Sequence, residues 1–158
     1  MKKLISNGLF VFAGMVSLPA GVTSQPVSQA PAPDYRIDPR LESLRKFFQK
    51  FDCPAVKYTV AFLEAADHYA LDWRLLPSIS YVESTGGKSA RHNNLFGWDS
   101  GRTQFPSPTA GIHFVGYRLS HSGLYRDKNL DELLAVYNPD AAYAQKVKSV
   151  MRRIAPTQ

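Results

Sequence analysis

The chain is poor in the features that most often announce a function by themselves. Its 158 residues hold one cysteine, Cys53, so no internal disulfide can form and a cysteine-based metal site is excluded. Beside Pro54, that cysteine reads as a small buried apolar residue rather than a nucleophile. The four histidines, His68, His92, His113 and His121, show no paired ligand spacing on one helix face, so neither a metal nor another cofactor is expected. No apolar run is long enough to cross a bilayer, and no internal repeat is visible. Charge of one sign is not dominant either: Lys and Arg number 19 against 13 Asp and Glu, a formal net charge of +6. The basic residues are scattered rather than gathered into a stripe, which argues against a nucleic-acid partner, while a modest basic excess suits polyanionic surfaces.

What is present organises the chain into three parts. Lys2-Lys3 followed by the apolar run from Leu9 to Val16 has the layout of a secretory signal peptide over residues 1–24, with Val22-Thr23-Ser24 or Leu18-Pro19-Ala20 at the cleavage site. The expected location is therefore exported, periplasmic or extracellular, and losing Lys2 and Lys3 lowers the net charge by two, to +4. Residues 25–36 are rich in Pro, Ala and Ser without a periodic apolar face and read as a disordered linker. Residues 37–156 suit one globular domain, expected to act as a monomer.

Within that domain the apolar spacing is helical. Asp38-Pro39 gives a capped start, with Leu41, Leu44, Phe48 and Phe51 following on one face. Val56, Val60 and Leu63 begin a second stripe, and a third helix is expected from Trp73 to Ser84 with Asp72 as its cap, although Pro77 sits late for a first turn and predicts a later start or a kink. Gly86 to Pro108 carries no clear helix and reads as a long loop or a small β-hairpin lobe. Ser107-Pro108 opens the next helix with Ile112, Val115 and Leu119 inward. Asn129 and Glu132 form a capping box for Leu130 to Tyr137, and Asn138-Pro139 is read as the start of the last helix, with Tyr143, Val147, Val150 and Ile154 as its stripe. The fold class is mainly α: a helical bundle with one irregular lobe.

The chemistry concentrates where the third helix ends. Leu76, Ile79 and Glu83 share a face, so a lone carboxylate continues an apolar stripe. A carboxyl held against apolar side chains is poorly solvated, and its pKa rises toward the range useful for donating a proton. The plain alternative is a solvated Glu in a last helical turn. Gly86-Gly87 is expected to stop the helix there.

Leu71-Asp72-Trp73-Arg74-Leu75-Leu76 leading to Ile79-Ser80-Tyr81-Val82-Glu83-Ser84 resembles the catalytic helix of the lysozyme-like superfamily of peptidoglycan-cleaving enzymes. Asn93-Asn94-Leu95-Phe96-Gly97, then Phe105-Pro106-Ser107 with Gly111-Ile112, and Pro139 with Tyr143-Ala144-Gln145-Lys146-Val147, resemble motifs of bacterial endo-β-N-acetylglucosaminidases, the mannosyl-glycoprotein-type domain found in autolysins. Leu133-Leu134-Ala135-Val136-Tyr137-Asn138 resembles the Ala-Tyr-Asn segment of soluble lytic transglycosylases, whose Gly-Leu-Met-Gln motif is absent. The resemblance covers about residues 56 to 150 and sits nearer the glucosaminidases. It implies a lysozyme-like helical domain with glycan running in a groove between the Glu83 helix end and the loop lobe. Peptidoglycan strands are then the expected partner, and Glu83 the general acid for a β-1,4 link.

Sugar rings offer apolar faces and hydroxyl edges, so Phe96, Trp98 and Phe105 are candidate platforms, and Ser84, Asn93, Asn94 and Asn138 candidate polar contacts. Asn94 either holds its own loop or meets an N-acetyl group, Phe96 reads more readily as core, and Trp98, flanked by the polar pair Asp99-Ser100, is the ring expected to be exposed. The resemblance places Tyr137 near Glu83, where its phenol would support developing positive charge; otherwise it closes the core. Two carboxylates are usual for glycosidases, and Asp99 is the best second candidate, with attack by the substrate's own N-acetyl oxygen or muramyl 6-hydroxyl as the alternative. A noncatalytic glycan-binding module stays open as well, because Lys88, Arg91 and Arg102 are near enough in sequence to pair with Glu83 and depress its pKa.

Overall fold

A computed structural model describes residues 33–156; the expected signal peptide and most of the expected linker lie outside them. Among the described residues six α-helices follow one another: α1 (Pro39–Lys50), α2 (Thr59–His68), α3 (Leu75–Ser84), α4 (Pro108–His121), α5 (Leu130–Tyr137) and α6 (Tyr143–Ile154). Short 3-10 turns at Tyr35–Ile37 and Pro54–Tyr58 precede α1 and α2. The architecture is mainly α, as the periodicity predicts. The only pairing of extended backbone among the described residues is an isolated antiparallel bridge between Arg91 and Asn94, so the lobe between α3 and α4 is irregular rather than a hairpin. No described helix is long and apolar enough to cross a membrane.

Several starts follow the sequence signals closely. The Asp38 carboxylate accepts from the Arg40 N–H with Pro39 at the first helical position, and Ser107 does the same for the Ala110 N–H ahead of Pro108. Asn129 and Glu132 exchange both bonds of a capping box. The Tyr35 hydroxyl donates to Asp67 at 3.0 Å, so the last residues of the expected linker are tied to α2 rather than disordered.

Two starts differ. Helix α3 begins at Leu75 rather than Trp73, because Asp72 caps no helical N–H and instead folds onto the N–H and guanidinium of Arg74. Pro77 then falls in the first turn, where its missing N–H costs nothing, and no kink is needed. Helix α6 begins at Tyr143 rather than at Pro139. Asn138 Oδ1 accepts from the Asp140 N–H, and Asp140 Oδ1 from the Ala142 N–H, so successive Asx turns take up the intervening residues. The end of α3 falls at Ser84 as expected, but the left-handed cap is Thr85 (φ 52°), one residue ahead of the glycines.

The core lies where α3 packs on α2, α4 and α6, with α1 closing over α2 and α6. Leu44, Phe48, Phe62, Leu63, Leu76, Ile79, Ile112, Val115, Leu134 and Val147 are all fully buried. Each such side chain contributes roughly 1.5–3 kcal/mol on burial. On α2 the inward face centres on Phe62, Ala65 and Ala66, whereas Val56 and Val60 are only partly covered, which shifts the stripe expected there. Cys53 is free and buried, as its surroundings in sequence imply. Being held by three other helices, α3 delivers its last turn to a fixed place at the base of the irregular lobe.

Candidate active site

The last turn of α3 is fastened to the lobe by Ser84. Its Oγ is within hydrogen-bond distance of the Ser80 and Leu95 carbonyls, at 3.0 and 2.8 Å, and accepts from the Gly87 N–H at 3.0 Å. Ser84, expected to touch ligand, is buried and engaged in the joint between helix and loop, and it borders the smaller of the two cavities described below. One residue before it, Glu83 is half-buried and faces the lobe.

Asn94 organises that lobe. Its amide donates to the carbonyls of Trp98 and Thr103 at 3.0 and 3.1 Å, while its Oδ1 accepts from the N–H groups of Phe96 and Trp98 at 3.3 and 3.0 Å. With both amide hydrogens and the carbonyl oxygen engaged and only 3% of its surface exposed, it holds its own loop rather than reaching for an N-acetyl group. Asn93, exposed at φ 60°, donates to the Phe105 carbonyl at 2.9 Å. Phe105 does not present a platform: its ring lies over Gly111 of α4, where an added Cβ would stand 2.9 Å from it, and it is buried. Phe96 is also core, its ring near Phe62, and only its backbone reaches the groove. Both rings are consumed in seating the lobe on the helices, so their hydrophobicity serves the fold.

Gly97 follows, at φ 59°, and forms the wall opposite the carboxyl: a Cβ there would stand 2.9 Å from Glu83 Oε2. The positive φ favours glycine, and a side chain here would push the Glu83 carboxyl aside. On either side of this contact the surface opens. A cavity of about 740 Å³ is lined by Glu83, Gly97, Trp98, Asp99, Tyr125, Tyr137 and Asn138, together with neighbouring loop residues. A second, of about 330 Å³, shares Glu83, Gly97 and Ser100 with the first and continues toward Arg91, His92 and Arg102. Together they make a groove with Glu83 midway along it.

The larger cavity is walled by aromatic rings. Trp98 is half-buried and meets Tyr137 edge-on at 5.9 Å between centroids and Tyr125 at 6.4 Å. Tyr137 stacks nearly parallel on Tyr143, at 5.9 Å and 9°. The Tyr137 hydroxyl donates to the Phe96 carbonyl at 2.8 Å, fixing the α5 end to the lobe. Asn138 lines the same wall while its Oδ1 caps Asp140.

The electrostatics follow from burial. Glu83 is held above the ordinary carboxylate range because the cleft strips water from its charged form, and the Tyr143 phenol beside it partly opposes that shift. The Tyr143 hydroxyl is buried and has no fully formed hydrogen bond among the described residues, so it is poised next to the carboxylate rather than locked to it. Both Tyr137 and Tyr143 are pushed up, first by burial and then by neighbours that include the Glu83 charge. Among the described residues no cation pairs with Glu83. Arg102 instead binds Asp99, Nη2 to Oδ1 at 2.6 Å, and that pair is exposed at the groove's edge. No group of three His, Cys, Asp or Glu side chains among the described residues is arranged to hold a metal.

Of the residues singled out from sequence, Glu83, Phe96, Trp98, Asp99, Tyr137 and Asn138 border the larger cavity, Ser84 and Asn94 border the smaller one, and Phe105 is buried away from both. Tyr143, Tyr125 and Gly97 were missed as members of the site. For Tyr143 a signal exists: a phenol at the head of an otherwise aliphatic stripe must find a polar partner when buried. Comparison with known proteins adds no relative: no family model, curated protein or solved structure matches the chain.

Proposed function

We propose that this protein is an exported glycoside hydrolase that cleaves β-1,4 links between N-acetylglucosamine and N-acetylmuramic acid in peptidoglycan, with Glu83 as the general acid. The observation that carries the reading is the carboxyl itself: half-buried midway along an open groove, raised in pKa by desolvation, and without a cationic partner among the described residues. Such a group is protonated closer to neutrality than a surface Glu and can give its proton to a leaving glycosidic oxygen. The rings of Trp98, Tyr125 and Tyr137 offer apolar and π faces beside it, suited to sugar C–H faces and to positive charge developing at the anomeric carbon. The sequence resemblance to the glucosaminidase branch of the lysozyme-like superfamily supports the same chemistry.

A second carboxylate decides the stereochemical route, since retaining enzymes hold the pair about 5–5.5 Å apart and inverting ones about 6.5–9.5 Å. Asp99 lines the cavity but is tied to Arg102. That pairing favours, as the second reading, a one-acid mechanism in which the substrate's N-acetyl oxygen or muramyl 6-hydroxyl attacks, the latter giving a lytic transglycosylase. A noncatalytic glycan-binding module is less well supported, because it predicts a Glu83 paired with a cation.

The test is incubation of the wild type and Glu83→Gln with purified peptidoglycan, followed by mass spectrometry of soluble fragments. Reducing-end sugars from the wild type alone are expected. A 1,6-anhydro product assigns the transglycosylase route instead, and Glu83→Gln with full activity refutes the role of Glu83.

A further inference from the structure

The groove is electrically lopsided about Glu83. Its larger cavity is lined by the carboxylates Glu83 and Asp99 and by no Lys, Arg or His. Its smaller cavity is lined by Arg91, His92 and Arg102, with Glu83 as its only carboxylate. Two arginines on one side of a bond-cleaving groove and none on the other is a recognition pattern, because a guanidinium fork matches a carboxylate in geometry as well as charge.

The two arginines are prepared differently. Arg102 is anchored: its Nε donates to the Asp99 carbonyl at 3.2 Å and its Nη2 to the Asp99 carboxylate at 2.6 Å, leaving Nη1 without a partner among the described residues. Arg91 is exposed and forms no ion pair or side-chain hydrogen bond among the described residues, while its backbone is set by the bridge to Asn94. The backbone that positions Arg91 is thus the one Asn94 locks.

We infer that the smaller cavity takes a carboxylate-bearing substituent of the glycan, so that the acid-substituted sugar is seated on the Arg91 side of Glu83 and the unsubstituted sugar on the aromatic side. This rests on the glycan-strand reading above and deepens it. In a strand whose sugars alternate between an acid-bearing and a neutral unit, fixing the acid-bearing unit on one side of Glu83 presents one of the two alternating links to the carboxyl and turns the other away. The acid can come from the peptide attached through the lactyl ether or from the lactyl carboxylate of a peptide-free sugar; both offer the same group to the guanidinium.

The experiment measures equilibrium binding, with turnover removed by Glu83→Gln, of the full chain with and without Arg91→Glu. The ligands are peptide-bearing glycan fragments, amidase-treated fragments that keep only the lactyl carboxylate, and neutral N-acetylglucosamine oligomers. An exposed charge-assisted contact predicts that Arg91→Glu weakens the anionic fragments about three- to tenfold more than the neutral oligomer, and that the gap narrows at high salt. A gap for peptide-bearing fragments alone assigns the peptide carboxylates, a gap for the amidase-treated fragments alone assigns the lactyl carboxylate, and a gap for both shows that either acid fills the cavity. Equal weakening of all three ligands, or of none, overturns the inference. Because no turnover is read, the result stands apart from the fragment-release test, whose failure would remove the hydrolase and leave the binding preference to be judged alone.

Discussion

Glu83 carries a cost that can be measured. Burial disfavours its charged form, so the folded state holds the proton more tightly than the unfolded chain does. For a group whose folded pKa is raised, the folded state is favoured at low pH and stability is lost as pH climbs from the ordinary carboxylate range through the raised value. Glu83→Gln is therefore expected to melt above the wild type at neutral pH, with the difference closing below the ordinary carboxylate range; thermal melts across pH check it, and identical Tm values at all pH would deny the desolvation. If Glu83 is the general acid proposed above, the same proton should set the alkaline limb of activity. Tyr143 is the neighbour that pulls the Glu83 pKa down against burial, and its hydroxyl has no other partner among the described residues. Tyr143→Phe should consequently move the alkaline limb of the kcat/KM profile to higher pH, with the ring and its stack on Tyr137 kept. A shift to lower pH would mean that the phenol acts on Glu83 with the opposite sign.

The lobe between α3 and α4 lacks regular pairing, so its shape depends on side-chain bonds to backbone, and Asn94 supplies four of them. Asn94→Ala leaves those backbone groups without their partner, an expected loss of about 2–3 kcal/mol once some are rewetted. Activity should fall further, on the order of 100-fold, because Trp98 and Asp99 ride on the segment it holds and small misplacements of binding groups are expensive in rate. Urea denaturation and fragment release read the two effects separately, and a variant as active as wild type would show the lobe to be held elsewhere. This dependence also marks where sequence reading stops. Helices α1, α4 and α5 were legible because Asp38-Pro39, Ser107-Pro108 and the Asn129–Glu132 box are local signals, complete within a few residues. For α3 the position of Pro77 signalled the later start that Asp72 as a cap concealed, whereas the start of α6 had no such signal, since Asn138 and Asp140 took non-helical partners. Glu83 stood out as a polar break in an apolar stripe, and Tyr137 and Trp98 as aromatics beside polar junctions. For Trp98 the flanking Asp99-Ser100 pair was such a signal and Phe96 already read more readily as core, whereas the burial of Phe105 had no local signal: it was decided by contact with Gly111 of α4.

Three distant segments meet at the groove, and one ring links the farthest parts of the structure behind them. Phe62 of α2 is fully buried, stacked on Phe48 of α1 at 5.8 Å and meeting Phe96 of the lobe edge-on at 6.5 Å. The Phe96 carbonyl in turn receives the Tyr137 hydroxyl at the end of α5, so α1, α2, the lobe and α5 are joined through two adjacent aromatic residues. Helix positions and groove shape are therefore set by the same packing. Phe62→Ala opens a cavity at the centre of that arrangement and should cost about 3–5 kcal/mol, a large share of the roughly 5–15 kcal/mol that a domain commonly has. Phe62→Leu keeps most of the volume and should cost less than about 1.5 kcal/mol. The informative comparison is made at a temperature where both variants are folded. If Phe96 is seated by Phe62, the leucine variant loses activity out of proportion to its small loss of stability, as the carbonyl that orients Tyr137 shifts. If activity instead simply follows the folded fraction, the lobe keeps its own shape through Asn94 and Ser84, and the core beneath it only supports it.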